Sequence, residues 1–540
     1  MPVAIAKLRG SFLLTAPNKR YLLYIVLLSL FTLFFNLGGR SLENKDSVSH
    51  PEIAREIIEL NDWIMLHQNG NIYVDKPPLH HWLTALSFRL IGVNTFAARF
   101  PEAIFAFFGI IAAFFFSKSI FRNSETAFLS GIILLSTFGY LWWARRARTD
   151  IEFSIFFALS LIFFYRGCEE GERVAKTFWY IAFWLTTGCA FMEKAFIAFA
   201  NLAVVIPYML MISLKPDDRR VMPGLLVVTS PCLALIVLPW AWSLWRHPEF
   251  SAYREILRHT EIATRTGGLF EYIVDLPMKL FPGTPFFLFG LWGFFRFRKH
   301  LAERRGLVFV LLWIGVYFII LHFTIVKDTR YLIPIYLPCS IVGAWAISFF
   351  REKYPDRFRR ILSHADRFFL VAALLALTVP FIFSYVHKVS LLAPWPYVIV
   401  LGLALLLARK LLPLKTAGLF ISFIIIFLSF DVGDSVVDEK TATFRRISRT
   451  LKVSNLSPES IRIYNCLYSD KEQSAISFYY NKLIPCADNL KEILKDQEVK
   501  AIVVEKRFIE PGVSMQQIQN HGRVIPYDEE YFILLKSNSY

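Results

Sequence analysis

Charge is scarce in this chain. Only 19% of its 540 residues are Asp, Glu, Lys or Arg, against about 25% in ordinary soluble domains. Apolar residues make up 55%, with 53 Phe among them, and the mean hydropathy is +0.45. A soluble protein this apolar would expose large sticky patches, so a bilayer is its natural solvent. Cysteine is also scarce: six residues are too few for a disulfide scaffold. Cys168, Cys189, Cys232 and Cys339 fall in or beside apolar stretches and are expected to pack as small apolar groups. Cys466 and Cys486 lie in a polar tail, where an oxidising compartment would let them pair. There is no internal repeat and no low-complexity tract. Lys7, Arg9, Lys19 and Arg20 precede the first apolar run, and no small-residue cleavage site follows it. Tyr21 to Leu37 is therefore expected to be an uncleaved first span.

Acid is scarcer than base, 43 Asp and Glu against 59 Lys and Arg, for a net charge of +16. In a soluble protein that excess would point to nucleic acid. Here much of it lies in connectors between apolar stretches, which is the positive-inside bias of membrane proteins and excludes nucleic acid as the partner. About thirteen stretches approach the roughly 20 residues needed to cross hydrocarbon. They fall near 21–37, 98–117, 126–143, 151–165, 177–192, 195–213, 222–245, 283–295, 307–326, 332–350, 368–386, 395–408 and 416–430. The N-terminus and the short alternate connectors carry about 26 of the 59 Lys and Arg and are assigned to the cytoplasm. The loop 38–97, the junctions 144–150 and 327–331, the loop 246–282 and the tail fall on the opposite side. The expected organisation is a transmembrane domain over 1–430 and an extracytoplasmic α/β domain over 431–540. In the tail, Ser460 to Asn465, Lys500 to Glu505 and Tyr531 to Leu535 read as strands; Lys471 to Tyr480 and Ala487 to Lys495 read as helices. At about 100 residues it is large enough for a core of its own.

The residues with chemistry gather on the extracytoplasmic face. In Pro51 to Leu60, Ile53, Ile57, Ile58 and Leu60 share one helical face and Glu52, Arg55, Glu56 and Glu59 the other. That pattern predicts a helix lying in the membrane interface. Asp46 precedes it by about a turn, as a helix-start acid or a functional one. Asp75-Lys76-Pro77-Pro78 presents a cation just before a stiff segment, suited to a phosphate or to simple anchoring at the interface. Arg145, Arg146 and Arg148 break the charge bias, and a lipid phosphate would offset them. Asp150 opens the fourth span and could cap it. Lys327, Arg330 and Tyr331 form a further cluster, and Lys194 is another cation on this side.

These residues resemble a family pattern. Asp46-Ser47 with Pro51-Glu52-Ile53-Ala54-Arg55-Glu56, Asp75-Lys76-Pro77-Pro78-Leu79, Asp150, and Lys327, Arg330, Tyr331 and Pro334 resemble motifs of the GT-C membrane glycosyltransferases. Within that superfamily the chain is similar to the lipid A aminoarabinose transferases and, more remotely, the protein O-mannosyltransferases. It departs from them at Ser47, where the family has a second acid, and at Asp75, where it has Glu. The resemblance implies a polytopic helical enzyme of about 13 spans in a bacterial inner membrane. It would move a sugar, with inversion, from a polyprenyl (undecaprenyl) phosphate to lipid A or a related envelope glycolipid. Asp46 would then be the base or orient the acceptor, with Asp150 as a second acid. Lys76, Arg148, Lys327, Arg330 and Tyr331 would hold the donor phosphate. It also makes a divalent metal near the Lys-Pro-Pro element plausible, with Asp75, His80, His81 and His259 on the correct side, although no ligand spacing is diagnostic. Transfer to protein hydroxyls is the alternative within the class. A transporter or flippase is the alternative outside it, and would place its ionisable groups near mid-membrane in repeated halves.

Overall fold

The computed structural model describes residues 16–42, 45–211, 216–259, 268, 270–298, 301, 304–324, 327–411, 416–464, 470–506, 509, 514–527 and 530–536. The chain begins with helix α1 (Ala16–Phe34), then α2 (Lys45–Leu60), a small antiparallel hairpin of β1 (His67–Gln68) and β2 (Asn71–Ile72), and α3 (Leu79–Ile91). The hairpin turns through Asn69 and Gly70, both at positive φ, as a tight two-residue turn demands. Next come α4 (Thr95–Phe121), α5 (Ser124–Ser136), α6 (Phe138–Ala144), α7 (Asp150–Glu169) and α8 (Arg173–Lys194). The side chains of Asn94 and Asn123 accept backbone N–H bonds at the starts of α4 and α5, which fixes those boundaries.

Among the described residues, eight helices are long and apolar enough to cross a membrane, or nine if α5 and α6 count as one broken span. Several of the thirteen stretches end as helices too short to qualify, such as Thr284–Phe297. The stretch expected over 126–143 is bent by 65° between α5 and α6. There Gly139 packs so closely on Tyr336 that a β-carbon would lie 2.6 Å from its hydroxyl. The stretches 177–192 and 195–213 join as α8, a 3-10 turn over Ala195–Phe199, and the helix Ala200–Met211. Helix Ile333–Lys353 is buried along nearly its whole length and lies at the centre of the apolar core. This is a polytopic helical membrane protein.

The tail carries a five-stranded sheet of order β4-β3-β5-β7-β6, with β3 (Ile461–Tyr464), β4 (Cys486–Ala487), β5 (Ala501–Glu505), β6 (Gly522–Pro526) and β7 (Tyr531–Lys536). The first three neighbours are parallel and the last three antiparallel. Helices Asp470–Tyr480 and Leu490–Lys495 match the expected ones; β4 and β6 were not foreseen. Cys486 is in a disulfide and Cys168, Cys189, Cys232 and Cys339 are free, while Cys466 lies outside the described residues.

One face of the sheet does not close on itself. Ile463, Phe478 and Phe444 pack in a single cluster with Val48, Ile53 and Ile57 of α2 and Phe88 of α3. The expectation of a separate core therefore holds only for the other face, where Ile502, Phe532 and Leu534 meet Leu490 and Ile493. This shared core also revises the reading of α2. Its polar side is buried: Glu52 is 0% exposed, Glu56 1% and Arg55 3%, whereas Leu60 is 51% exposed. Arg55 donates to Glu52 at 2.7 and 2.9 Å. Glu56 accepts from the backbone N–H groups of Asn69 and Gly70 at 2.6 and 3.0 Å. Polar periodicity here marks an internal ion pair and a carboxylate clamp on the hairpin turn, and not a headgroup-facing surface.

Candidate functional site

The break after α8 builds the first wall of the site. Ala195 has φ 50° and ψ −134°, a conformation that costs a residue with a β-carbon about 1–3 kcal/mol. It ends α8 at Lys194 and turns the chain into the 3-10 segment. The second wall is the start of α7. Asp150 is its first residue, in the electropositive first turn, but its carboxylate does not serve as a cap. It is hydrogen-bonded to Lys194 Nζ, accepts from Arg148 Nε at 3.3 Å and lies 4.0 Å from Arg330 Nε. The third wall is the 3-10 turn Thr329–Leu332, opened by Asp328, whose side chain accepts from Arg330 N and pairs with Arg330 Nε at 3.1 Å. Lys76 enters from the Lys-Pro-Pro element and donates to Thr149 Oγ1 at 3.3 Å.

These walls enclose a cavity of about 580 Å³. Its polar lining is Asp75, Lys76, Asp150, Lys194, Arg330 and Tyr331; its apolar lining includes Phe153, Ile197, Tyr317, Leu321 and Phe323. Lys194 Nζ lies 5.5 Å from the centre of the Tyr331 ring and 5.2 Å from that of Phe153. The cavity thus offers cations together with a greasy lining.

Five of the seven expected site residues meet here: Asp150, Lys76, Arg148, Arg330 and Tyr331. Lys327 is placed elsewhere. Its ammonium donates to the carbonyls of Leu321 and His322, each at 2.8 Å, which satisfies the end of helix Arg304–Phe323. Asp46 sits in the first turn of α2, and its side chain lies outside the described residues, as does that of His259. The arginine run also divides. Arg145 donates to the carbonyls of Thr32, Leu33 and Phe35 and to Asp431 Oδ2 at 2.8 Å, so it ties α1 to helix Ala417–Thr441. Arg146 stacks on Trp142 at 3.8 Å. Only Arg148 serves the cavity. Sequence reasoning noted Lys194 but gave it no role; its place just before a break between two spans was the available signal.

Burial pushes the Lys76 ammonium down to about 8; Asp150 opposes that shift, and Lys194 and Arg148 add to it. The sign follows directly. Below about 8 the amine is charged and can hold a phosphate; above it the charge is lost. Affinity for a phosphate-headed lipid is expected to fall as pH rises from 7 to 9.5, by roughly 10-fold. Lys76→Arg should flatten that profile. Titrations of the detergent-solubilised protein with undecaprenyl phosphate at stepped pH check this, and a flat wild-type profile would remove Lys76 from the site.

A second groove, of about 960 Å³, opens beside Trp142. Phe138, Phe281, Phe423 and Phe427 line it, with Arg40, Asp431 and Asp434 at its polar end. The stretch from Trp142 to Asp150 runs from this groove to the smaller cavity.

Residues 75–242 match the family model described as dolichyl-phosphate-mannose-protein mannosyltransferase. The chain is 25% identical over 374 residues to undecaprenyl phosphate-alpha-4-amino-4-deoxy-L-arabinose arabinosyl transferase 2 of Proteus mirabilis, covering 67% of this chain and 66% of that one. It is 28% identical over 345 residues to the corresponding transferase of Aeromonas salmonicida, covering 62% and 61%. The chain therefore spans slightly under two thirds of these relatives' length. Crystal structures of ArnT from Cupriavidus metallidurans superpose over 95% of this chain and 97% of theirs. TM-scores are 0.74 for the apo state at 18% identity and 0.73 for the complex with undecaprenyl phosphate at 17% identity. The chain has the GT-C membrane fold and resembles the lipid A aminoarabinose transferases.

Proposed function

We propose that this protein is an integral-membrane, inverting glycosyltransferase that moves a sugar from a polyprenyl phosphate to lipid A or a related envelope glycolipid. One observation carries the reading: a cavity that gathers Lys76, Lys194 and Arg330 around Asp150 and whose remaining lining is largely apolar. An amphiphile with an anionic head fits such a site and a water-soluble sugar nucleotide does not. A reaction between two lipid-linked substrates needs two such places, and the groove beside Trp142 is the second. The names of the relatives favour an arabinosyl, hence pentosyl, group.

In this reading the leaving group is a phosphate monoester, already a weak base, so no general acid is required. Lys76, Lys194, Arg148 and Arg330 stabilise the charge that develops on its oxygens. Asp150 holds that cation set in place, and Tyr331 donates a hydrogen bond. Asp46 draws the proton from the acceptor on the opposite face of the sugar, or orients an acceptor phosphate that is already ionised. The chain crosses the inner membrane about thirteen times, with the loop 38–97 and the tail in the periplasm.

Mass spectrometry of lipid A and other envelope glycolipids, from cells with and without the gene, tests the reaction. The expected result is a pentosamine-sized substituent lost with the gene and restored by it. Unchanged glycolipids with altered periplasmic glycoproteins would replace the acceptor. For orientation, alkaline phosphatase fused after residue 536 should be active; an inactive fusion would place the whole site on the other face.

A further inference from the structure

Next in sequence to the cavity's charged residues, but outside its lining, is a buried polar cluster that the transfer reaction leaves unused. His80 at the start of α3, Glu102 in α4 and Glu152 in the first turn of α7 each offer a ligand atom, and these atoms lie within 4.8 Å of one another. All three are sealed from solvent, at 1%, 0% and 0% exposure. His80 Nδ1 is 2.7 Å from Glu152 Oε2. Apart from the contact of the Glu102 and Glu152 carboxyl groups with each other, both carboxylate oxygens of Glu102, Oε1 of Glu152 and Nε2 of His80 have no hydrogen-bond partner. Glu193, the last residue but one of α8, is equally buried with both oxygens unpartnered, and its charge reaches both Glu102 and Glu152.

Several acids cannot stay ionised in such a place without a counter-charge, since each costs several kcal/mol on burial. The nearby cations are engaged at the cavity, Lys194 and Arg148 with Asp150 and Lys76 with Thr149. Imidazole with two or three carboxylates is a donor set for a divalent ion of the zinc class. We infer that His80, Glu102 and Glu152 form a structural binding site for a divalent transition-metal ion, with the Glu193 carboxylate adding to its negative field.

The positions say what the ion does. His80 follows Lys76 by four residues, Glu152 follows Asp150 by two, and Glu193 immediately precedes Lys194. One ion would join two of the elements that present the cavity's charged groups, those of Lys76 and Asp150, and hold their spacing, with the Glu193 carboxylate beside Lys194 close enough for its charge to be felt. Its ligands do not themselves reach the cavity. The metal assignment stands or falls separately from the donor-phosphate reading, because its measurement is of metal and not of transfer.

The test uses full-length protein purified without metal, loaded with Zn²⁺, desalted and measured by plasma mass spectrometry. About one zinc per chain is expected, and the Glu102→Gln/Glu152→Gln double variant should retain roughly a tenth of it or less. An Asp75→Asn variant should keep the ion; loss there would move the ion to the cavity and overturn the assignment. Wild-type protein that binds no zinc would show that the carboxyls are held neutral by protons instead. Should the double variant not fold, zinc-edge X-ray absorption of the wild type decides. One imidazole with two to three oxygen donors is expected, and a sulfur-containing or imidazole-free shell would refute the site.

Discussion

Lys194→Met is expected to lower sugar transfer by about 100-fold or more, the loss seen when one preorganised donor to a developing oxyanion is removed. Lys194 is the cation the fold positions most deliberately. It ends α8, precedes the left-handed Ala195, bonds to Asp150 and faces the cavity between Phe153 and Tyr331. Methionine keeps the length and the packing and removes only the charge. The variant should therefore insert and purify normally, with the same elution profile and thermal midpoint. Because Lys194 and Asp150 are in direct contact, their effects should not add. Asp150→Asn in the Lys194→Met background is expected to cost much less than it does alone. Transfer of labelled sugar from lipid donor, measured for both singles and the double, gives the cycle. Additive losses would mean that the pair does not act as one unit, and wild-type turnover in Lys194→Met would place donor phosphate elsewhere.

Asp46→Asn should cut transfer by a similar factor, roughly 100-fold, while leaving donor affinity unchanged, as expected for loss of a general base. The frame around it supports that role. Asp46 precedes His50 by four residues, about one turn of α2. His50 Nδ1 lies 3.1 Å from His81 Nε2, so this end of α2 is fastened to the helix that follows Lys76-Pro77-Pro78. Lys76 and Arg148 are close enough for their charges, after burial itself, to hold the His50 imidazole well below its usual range. The start of α2 thus faces the same cation set as Asp150. Binding of undecaprenyl phosphate and turnover, measured on the same preparation, separate the roles. Near-normal turnover removes Asp46 from the chemistry, and a parallel loss of donor affinity makes it a binding residue.

Much of this organisation was legible in the sequence because apolar length and charge bias act locally. The Lys-Pro-Pro element, the Arg148–Asp150 run and the Arg330-Tyr331 pair were recognisable, and three strands and two helices of the tail followed from their own periodicity. What escaped were partnerships across hundreds of residues. Arg145 looks like a lipid-phosphate ligand until Asp431 and the carbonyls of Thr32, Leu33 and Phe35 claim it. Lys327 looks the same until the carbonyls of Leu321 and His322 take its protons. Glu52, Arg55 and Glu56 read as an exposed face, because an amphipathic pattern cannot say that another domain covers the polar side. Glu102, Glu152 and Glu193 carried a signal that went unread: carboxylates within or at the ends of spans are costly, and such residues tend to be functional.

The core shared by α2, α3 and the sheet has a consequence for biogenesis. The ribosome releases the loop early and the tail later, yet Val48, Ile53 and Ile57 share one core with Phe444, Ile463 and Phe478 of the tail. A nascent chain halted near residue 440 would have every helix inserted and still display an uncovered apolar face at its outer surface. Maturation therefore requires the tail to dock on the loop that carries α2, and a premature stop codon near residue 440 should yield a protein that membrane proteases clear rapidly.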